Sequence, residues 1–175
     1  MIIAISGTPG TGKSAVLARL RGSGYCGSSV DDLILQFRGI GKGRSGDAIL
    51  VDTEELGRLR LEHESDAVPF FVEGHLSHYL KCACAFVLRC HPDVLYSRLR
   101  ERGWRKDKII ENVRAEVLDV VLIETLENVR NVYEIDVTHI AAPECARIVL
   151  DTIREGNEGL RAGRISWSSD IERWF

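Results

Sequence analysis

Short apolar runs alternate along the chain with longer stretches in which apolar positions recur every three or four residues. Residues 2–5, 24–26, 68–72, 83–88 and 133–137 are short and largely apolar, as strands covered on both faces are. Pro69 suits the third only at its start, since proline has no N–H for a ladder. The gaps predict helices. One opens at Gly12-Lys13-Ser14, one near Ser29, where Ser29 and Asp32 have capping-box spacing, and one near Asp52, with Glu54 and Glu55 in its first turn. Another follows Pro92-Asp93 and stops at Gly103. The longest is expected from about residue 106 to 129, with Ile109, Ile110, Val113, Val117, Val120 and Val121 on one face. The last follows Pro143. The tail after Gly156 is expected to be irregular yet packed on the body, because Trp167, Trp174 and Phe175 are costly to leave in water. This order predicts one α/β domain with a parallel sheet.

Composition narrows the classes. At 175 residues with 45 % hydrophobic and 28 % charged residues, the chain can bury a core without disulfides or metal. A formal charge of −3 creates no global field toward nucleic acid or anionic membrane. No apolar run approaches a membrane span, and residues 1–5 turn polar too early for a signal peptide. The five cysteines are an odd number without a secretion signal, so a reducing cytoplasm is expected.

The strongest chemical signal is Gly7-Thr8-Pro9-Gly10-Thr11-Gly12-Lys13-Ser14, which fits G-x-x-x-x-G-K-[ST] between a predicted strand and a predicted helix. Glycines let backbone N–H groups converge on phosphate, and the helix N-terminus adds its positive end. Gly7, Pro9, Gly10, Thr11, Gly12, Lys13, Ser14 and Ala15 are therefore the candidate donor-nucleotide cradle. Lys13 is expected on the β- and γ-phosphates of ATP and Ser14 on Mg²⁺. The guanine-reading Asn-Lys-x-Asp and the Ser-Gly-Gly of transporter ATPases do not occur, and the length suits a small nucleotide kinase. An apolar strand ending at Glu73 puts a carboxylate where α/β sheets bind ligands, placed to order a water on Mg²⁺ or to accept a proton. Arg98 and Arg102, four apart, share a helix face beside Gly103-Trp104-Arg105-Lys106, which reads as a short basic lid whose arginines steady a migrating phosphoryl group. His75, His78, Cys82 and Cys84 have zinc-ligand composition, yet Cys82 and Cys84 open an apolar strand and read better as small buried hydrophobes. His63, His91 and His139 read as surface or turn residues.

The phosphate loop, Val30-Asp31-Asp32-Leu33, Glu73-Gly74-His75, Leu95-Tyr96-Ser97-Arg98-Leu99-Arg100-Glu101-Arg102-Gly103-Trp104 and Lys108-Ile109-Ile110-Glu111-Asn112-Val113-Arg114-Ala115-Glu116 stand in this order. Together they resemble the adenylate kinase family of archaea, the group of eukaryotic adenylate kinase isoenzyme 6, over roughly residues 1–155. Gly163-Arg164-Ile165-Ser166-Trp167-Ser168 is similar to archaeal members and implies an archaeal source. The resemblance implies a P-loop fold with a five-stranded parallel sheet, a helical acceptor-binding region at about 29–66, a lid at about 103–113 and a tail at about 156–175. It implies adenylate kinase activity with AMP as acceptor, ATPase activity, and a role in small ribosomal subunit maturation through a small-subunit ribosomal protein and rRNA, in a cytoplasmic monomer without membrane contact. It also implies that Glu73-Gly74-His75 is the acid-x-His variant of the second acidic motif. His75 would then orient the acceptor or the attacking water. The sequence departs from ordinary adenylate kinases in having His75-Leu76-Ser77 where they carry Phe-Pro-Arg. Where eukaryotic members carry an acceptor-region arginine, Leu35 or Ile34 stands, and Arg38 is its nearest substitute. The glycine-rich run 39–46 is expected to be a mobile linker. Two rival functions follow: an assembly factor switched by ATP, and a kinase for another acceptor such as cytidylate or a shikimate-like alcohol.

Overall fold

The computed structural model describes residues 1–37, 41–45, 48–59, 61 and 68–175. Arg38, positions 39, 40 and 46 of the expected linker, and His63 lie outside the described residues. In chain order the elements are β1 (Ile2–Ser6), α1 (Lys13–Gly22), β2 (Cys26–Ser29), α2 (Val30–Gln36), β3 (Gly41–Ser45), β4 (Ala48–Val51), α3 (Thr53–Arg58), β5 (Phe70–Glu73), β6 (Cys84–Arg89), α4 (Pro92–Glu101), α5 (Lys106–Val117), α6 (Val120–Asn128), β7 (Val132–Asp136), α7 (Ala142–Glu155) and α8 (Ile171–Trp174). Five strands form a parallel sheet in the order β2-β5-β1-β6-β7, as expected for a P-loop fold. Pro69 stands just ahead of β5, outside its ladder.

Period-two alternation sorts the core. Ile3, Ile5, Phe71, Phe86 and Leu88 face one layer with α1, α4, α5 and α7. Ala4, Ala85, Val87 and Val132 face α6, while Val72 meets Val30, Leu33 and Leu56 of α2 and α3. β1 is central, so the loop after it and the ends of β5 and β6 open on one edge of the sheet, beside the point where strand order reverses.

Three expectations change. The long helix over 106–129 is two helices, because Asp119 adopts a left-handed conformation (φ 56°) and turns its carboxylate onto Arg89. The apolar stripe breaks with it: Ile109, Val113 and Val117 join one side of the sheet, Val121 the other, and Val120 is exposed. Part of the expected linker is β3, which pairs antiparallel with β4 beyond it, so the expected acceptor-binding region is not wholly helical. The tail packs on the body through short helical turns rather than as irregular chain, although Phe175 stays 59 % exposed. Ser29 caps α2 by accepting from the Asp32 N–H, and Asp52 caps α3 in the same way. All five cysteines are free thiols.

Candidate active site

The loop between β1 and α1 needs its glycines for space as well as for dihedral angles. Gly7 has φ 139° and a Cβ there would lie 2.6 Å from the Leu88 carbonyl oxygen. Gly10 (φ 97°) is pressed on α4, where a Cβ would meet Leu95 and Leu99 side chains at 2.8 and 2.9 Å. The loop is thereby seated on the neighbouring strand and on α4. α1 starts at Gly12 with no side-chain cap, which leaves its first-turn N–H groups to a ligand.

Lys13 is buried, and its ammonium donates to the carbonyls of Gly7 (2.8 Å) and Thr8 (3.1 Å). Burial pulls its pKa down to about 8; Glu73, Glu116 and Asp31 resist the fall and Arg102 adds to it. The Ser14 hydroxyl donates to a Glu73 carboxylate oxygen at 2.9 Å. β5 ends at Glu73, and Gly74 (φ 152°) turns the chain so that His75 also lines the cleft. Partial desolvation there and the Lys13 charge hold the His75 pKa below the usual imidazole value, against an opposing pull from Asp31.

Pro9, Gly10, Gly12, Lys13, Ser14, Ala15, Glu73, His75 and Arg102 thus line one cleft of about 380 Å³. Asp31, of the Val30-Asp31-Asp32-Leu33 string, and Trp104, of the expected lid, line it too. Gly7 and Thr11 stand behind its wall: the Gly7 carbonyl holds Lys13, and the Thr11 hydroxyl donates to the Thr8 carbonyl. Arg98 is elsewhere. Its guanidinium donates to the carbonyls of Val137 (2.8 Å) and Thr138 (3.2 Å), bracing α4 against the β7–α7 connection. There it edges a second slot with Thr11, Ala15, Arg102, Val137, Ile140 and Ala142. A third cavity lies across β2, walled by Gly27, Ser28, Leu33, Gln36, Phe37, Leu61 and Phe70.

His78, by contrast, is fully buried, with Nδ1 3.0 Å from the Ser6 hydroxyl, and burial lowers its pKa to about 4. Burial raises the Cys82 and Cys84 thiols to about 11 and about 12. Among the described residues, no cluster of His, Cys, Asp and Glu is arranged to hold a metal ion. His91 caps α4 by accepting from the Asp93 N–H, and His139 is exposed.

Sequence reasoning missed a buried ionic cluster behind the cleft. Arg89, at the end of β6, donates to Glu116 (2.8 Å), Glu134 (2.7 Å) and Asp119. Burial opposes the guanidinium charge, but Glu116 and Asp119 outweigh it and raise its pKa. A signal was present: Glu116 interrupts the apolar positions Ile109, Val113 and Val117, and Glu134 interrupts a strand covered on both faces.

A phosphate-binding loop at the strand ends of a five-stranded parallel sheet defines a P-loop protein of the kinase-type fold. A family model described as "AAA domain" matches residues 3–119. Shikimate kinase from Acinetobacter baumannii superposes with a TM-score of 0.57 at 16 % identity, covering 90 % of this chain and 94 % of that one. That likeness shows the fold alone. The curated relatives go further. A protein of Archaeoglobus fulgidus named "Putative adenylate kinase" is 43 % identical over 98 % of this chain and 94 % of its own. One of the same name from Pyrococcus furiosus is 41 % identical over 98 % and 94 %, and one from Thermococcus onnurineus 38 % identical over 99 % and 94 %. The chain belongs to this archaeal family of P-loop proteins.

Proposed function

We propose that the protein transfers the γ-phosphoryl group of ATP to AMP, giving two ADP, and lets water compete as acceptor. The observation that carries this reading is the convergence of Lys13, Ser14, Glu73, His75 and Arg102 on one cleft. The names of the relatives support it.

In this reading the donor phosphates replace the Gly7 and Thr8 carbonyls as partners of Lys13, and the loop amides and α1 N-terminus take the remaining oxygens. The donor base enters the slot walled by Val137, Ile140 and Ala142. The acceptor base enters the cavity lined by Leu33, Phe37 and Phe70, with Gln36 as its polar reader. Ser14 and Glu73 present two oxygen donors, the chemistry a hard cation selects, so they fit Mg²⁺. When bound, Mg²⁺ offsets charge on the donor phosphates. Arg102, at the mouth of the lid loop 103–105, steadies charge on the transferring group, while Arg98 keeps α4 in place. His75, neutral at pH 7, donates its ring N–H to the acceptor phosphate or accepts a hydrogen bond from the attacking water. No arginine follows Glu73 to grip an acceptor phosphate, and this favours hydrolysis as a substantial side reaction.

ADP formation measured with and without AMP tests the reading. Two ADP per AMP consumed supports it; ATP consumption indifferent to AMP overturns the kinase half. The resemblance also carries a cytoplasmic role in small-subunit maturation, which predicts that a small-subunit ribosomal protein raises ATP consumption. Among the described residues no helix is long and apolar enough to cross a membrane.

A further inference from the structure

Glu116 is almost wholly buried at the last turn of α5, the helix that begins where the lid loop ends. Its carboxylate meets only donors. One oxygen accepts from Arg89 Nε (2.8 Å), the Cys90 N–H (3.1 Å) and the Trp167 indole N–H (3.3 Å). The other accepts from the Thr8 hydroxyl. Thr8 is itself only 1 % exposed and is the second residue of the phosphate loop. Its carbonyl accepts from Lys13 Nζ (3.1 Å), the Thr11 hydroxyl (2.9 Å) and the Thr11 N–H (3.2 Å). The hydroxyl end of Thr8 is therefore held by Glu116, and its carbonyl end orders the loop and the lysine. We infer that Glu116 is a positioning residue for the donor-phosphate loop, acting through the Thr8 hydroxyl, and that Trp167 of the tail holds Glu116 in place.

The chemistry of the contact makes this separable from packing. A carboxylate has acceptor sites for all four donors, whereas an amide in its place has one acceptor oxygen. In Glu116→Gln the oxygen must stay with Arg89, Cys90 and Trp167, which can only donate. The NH₂ then faces Thr8, whose hydroxyl must reverse from donor to acceptor. The charge-assisted bond to the loop is lost, and such bonds are about twice as strong as neutral ones. Thr8→Val and Thr8→Ser divide the same contact differently. Valine keeps the shape and loses the hydroxyl; serine keeps the hydroxyl and loses a methyl.

The inference rests on the donor-site reading above, so the test has two arms. In steady-state kinetics, Thr8→Val and Glu116→Gln should each raise KM for ATP about tenfold. KM for AMP and kcat should stay within about threefold of wild type, and Thr8→Ser should match wild type within about twofold. Trp167→Phe, which removes one of four donors, should shift KM for ATP the same way by about two- to threefold. A packing role gives the opposite order, with serine impaired and valine benign, and that order overturns the inference. The second arm uses ligand-free protein. Amide hydrogen exchange over residues 7–14 should speed up in Thr8→Val and in Glu116→Gln but not in Thr8→Ser. If wild-type protein binds no nucleotide, the donor-site reading fails, and exchange alone decides: unchanged exchange in Thr8→Val overturns the positioning role. Because both arms include the Thr8 pair, a Glu116→Gln protein that fails to fold leaves the test intact.

Discussion

The phosphate cleft and the Arg89 cluster are each built around one buried cation facing carboxylates, and they are opposite in how far that cation is satisfied. Arg89 spends all three of its nitrogens on Glu116, Asp119 and Glu134. The carboxylates are completed in turn by the Thr8 hydroxyl and by N–H groups of Cys90, Gly163, Arg164 and Trp167. Lys13 is given two backbone carbonyls and no carboxylate within bonding distance among the described contacts. Burial without a bound counter-charge is what lowers its pKa. One site is finished by the fold; the other is left for a ligand to finish. Natural sequences break local rules of satisfaction at functional sites and keep them elsewhere. Here the two outcomes stand on either side of Thr8.

The contrast breaks most visibly if substitution in the cluster spares the fold. Arg89→Met leaves three carboxylates without their cation and should cost about 3–5 kcal/mol, a large part of what a domain of this size has. A denaturant midpoint near wild type would end the comparison. Lys13→Met should do the reverse. Turnover should fall by about a hundred- to a thousandfold, the range found when a preorganised donor is removed. Stability should rise. The native pKa of about 8 lies below the ordinary lysine value of 10.5, so between them the unfolded chain binds more protons and stability climbs with pH. Below pH 8 the whole penalty is present, about 3 kcal/mol at most at 1.36 kcal/mol per pKa unit. Chemical denaturation at pH 7 and pH 10 should find Lys13→Met more stable than wild type at the lower pH, with the gap narrowing at the higher one.

Substitutions at Arg102, Arg98 and His75 should sharpen the comparison within the cleft and beside it. Arg102→Ala should lower kcat by about ten- to a hundredfold and leave ATP affinity within a few-fold, since its charge matters when negative charge migrates. Arg98 braces backbone, so Arg98→Ala should lower the melting temperature as well as turnover; a loss confined to kcat would return Arg98 to the phosphate. The smallest effect belongs to His75→Ala. If the ring orients water, hydrolysis falls about three- to tenfold while AMP phosphorylation is largely kept, because AMP brings its own nucleophile. If it orients AMP, the phosphorylation rate falls first and KM for AMP rises.

What could be read in advance follows the same division. The cleft is assembled from short contiguous strings, because a loop, a strand end and a helix start each impose local residue types. Gly7 to Ser14, Glu73 and His75 were therefore legible, and the sheet followed from runs of apolar residues covered on both faces. The cluster joins residues 8, 89, 90, 116, 119, 134, 163, 164 and 167, which are scattered along the chain, and its charged members look like surface residues when read alone. Only the misfit of Glu116 and Glu134 with their apolar surroundings betrays it. The same blindness hid the break between α5 and α6: nothing local forces Asp119 into a left-handed conformation, and its reason is Arg89, thirty residues away. Arg98 and Arg102 share helical spacing, but spacing says nothing of which carbonyls lie within reach of each.

The span of the cluster also orders events during synthesis. Residues 7–14 are made first, yet the donors that finish Glu134 and Glu116 come from Gly163, Arg164 and Trp167. Such long-range closures are the late steps of folding. A nascent chain with the whole phosphate-loop motif already outside the ribosome still lacks the groups that hold the loop's support in place. In the positioning role inferred above, the loop therefore gains the last of its support only once residues 163–167 have been made.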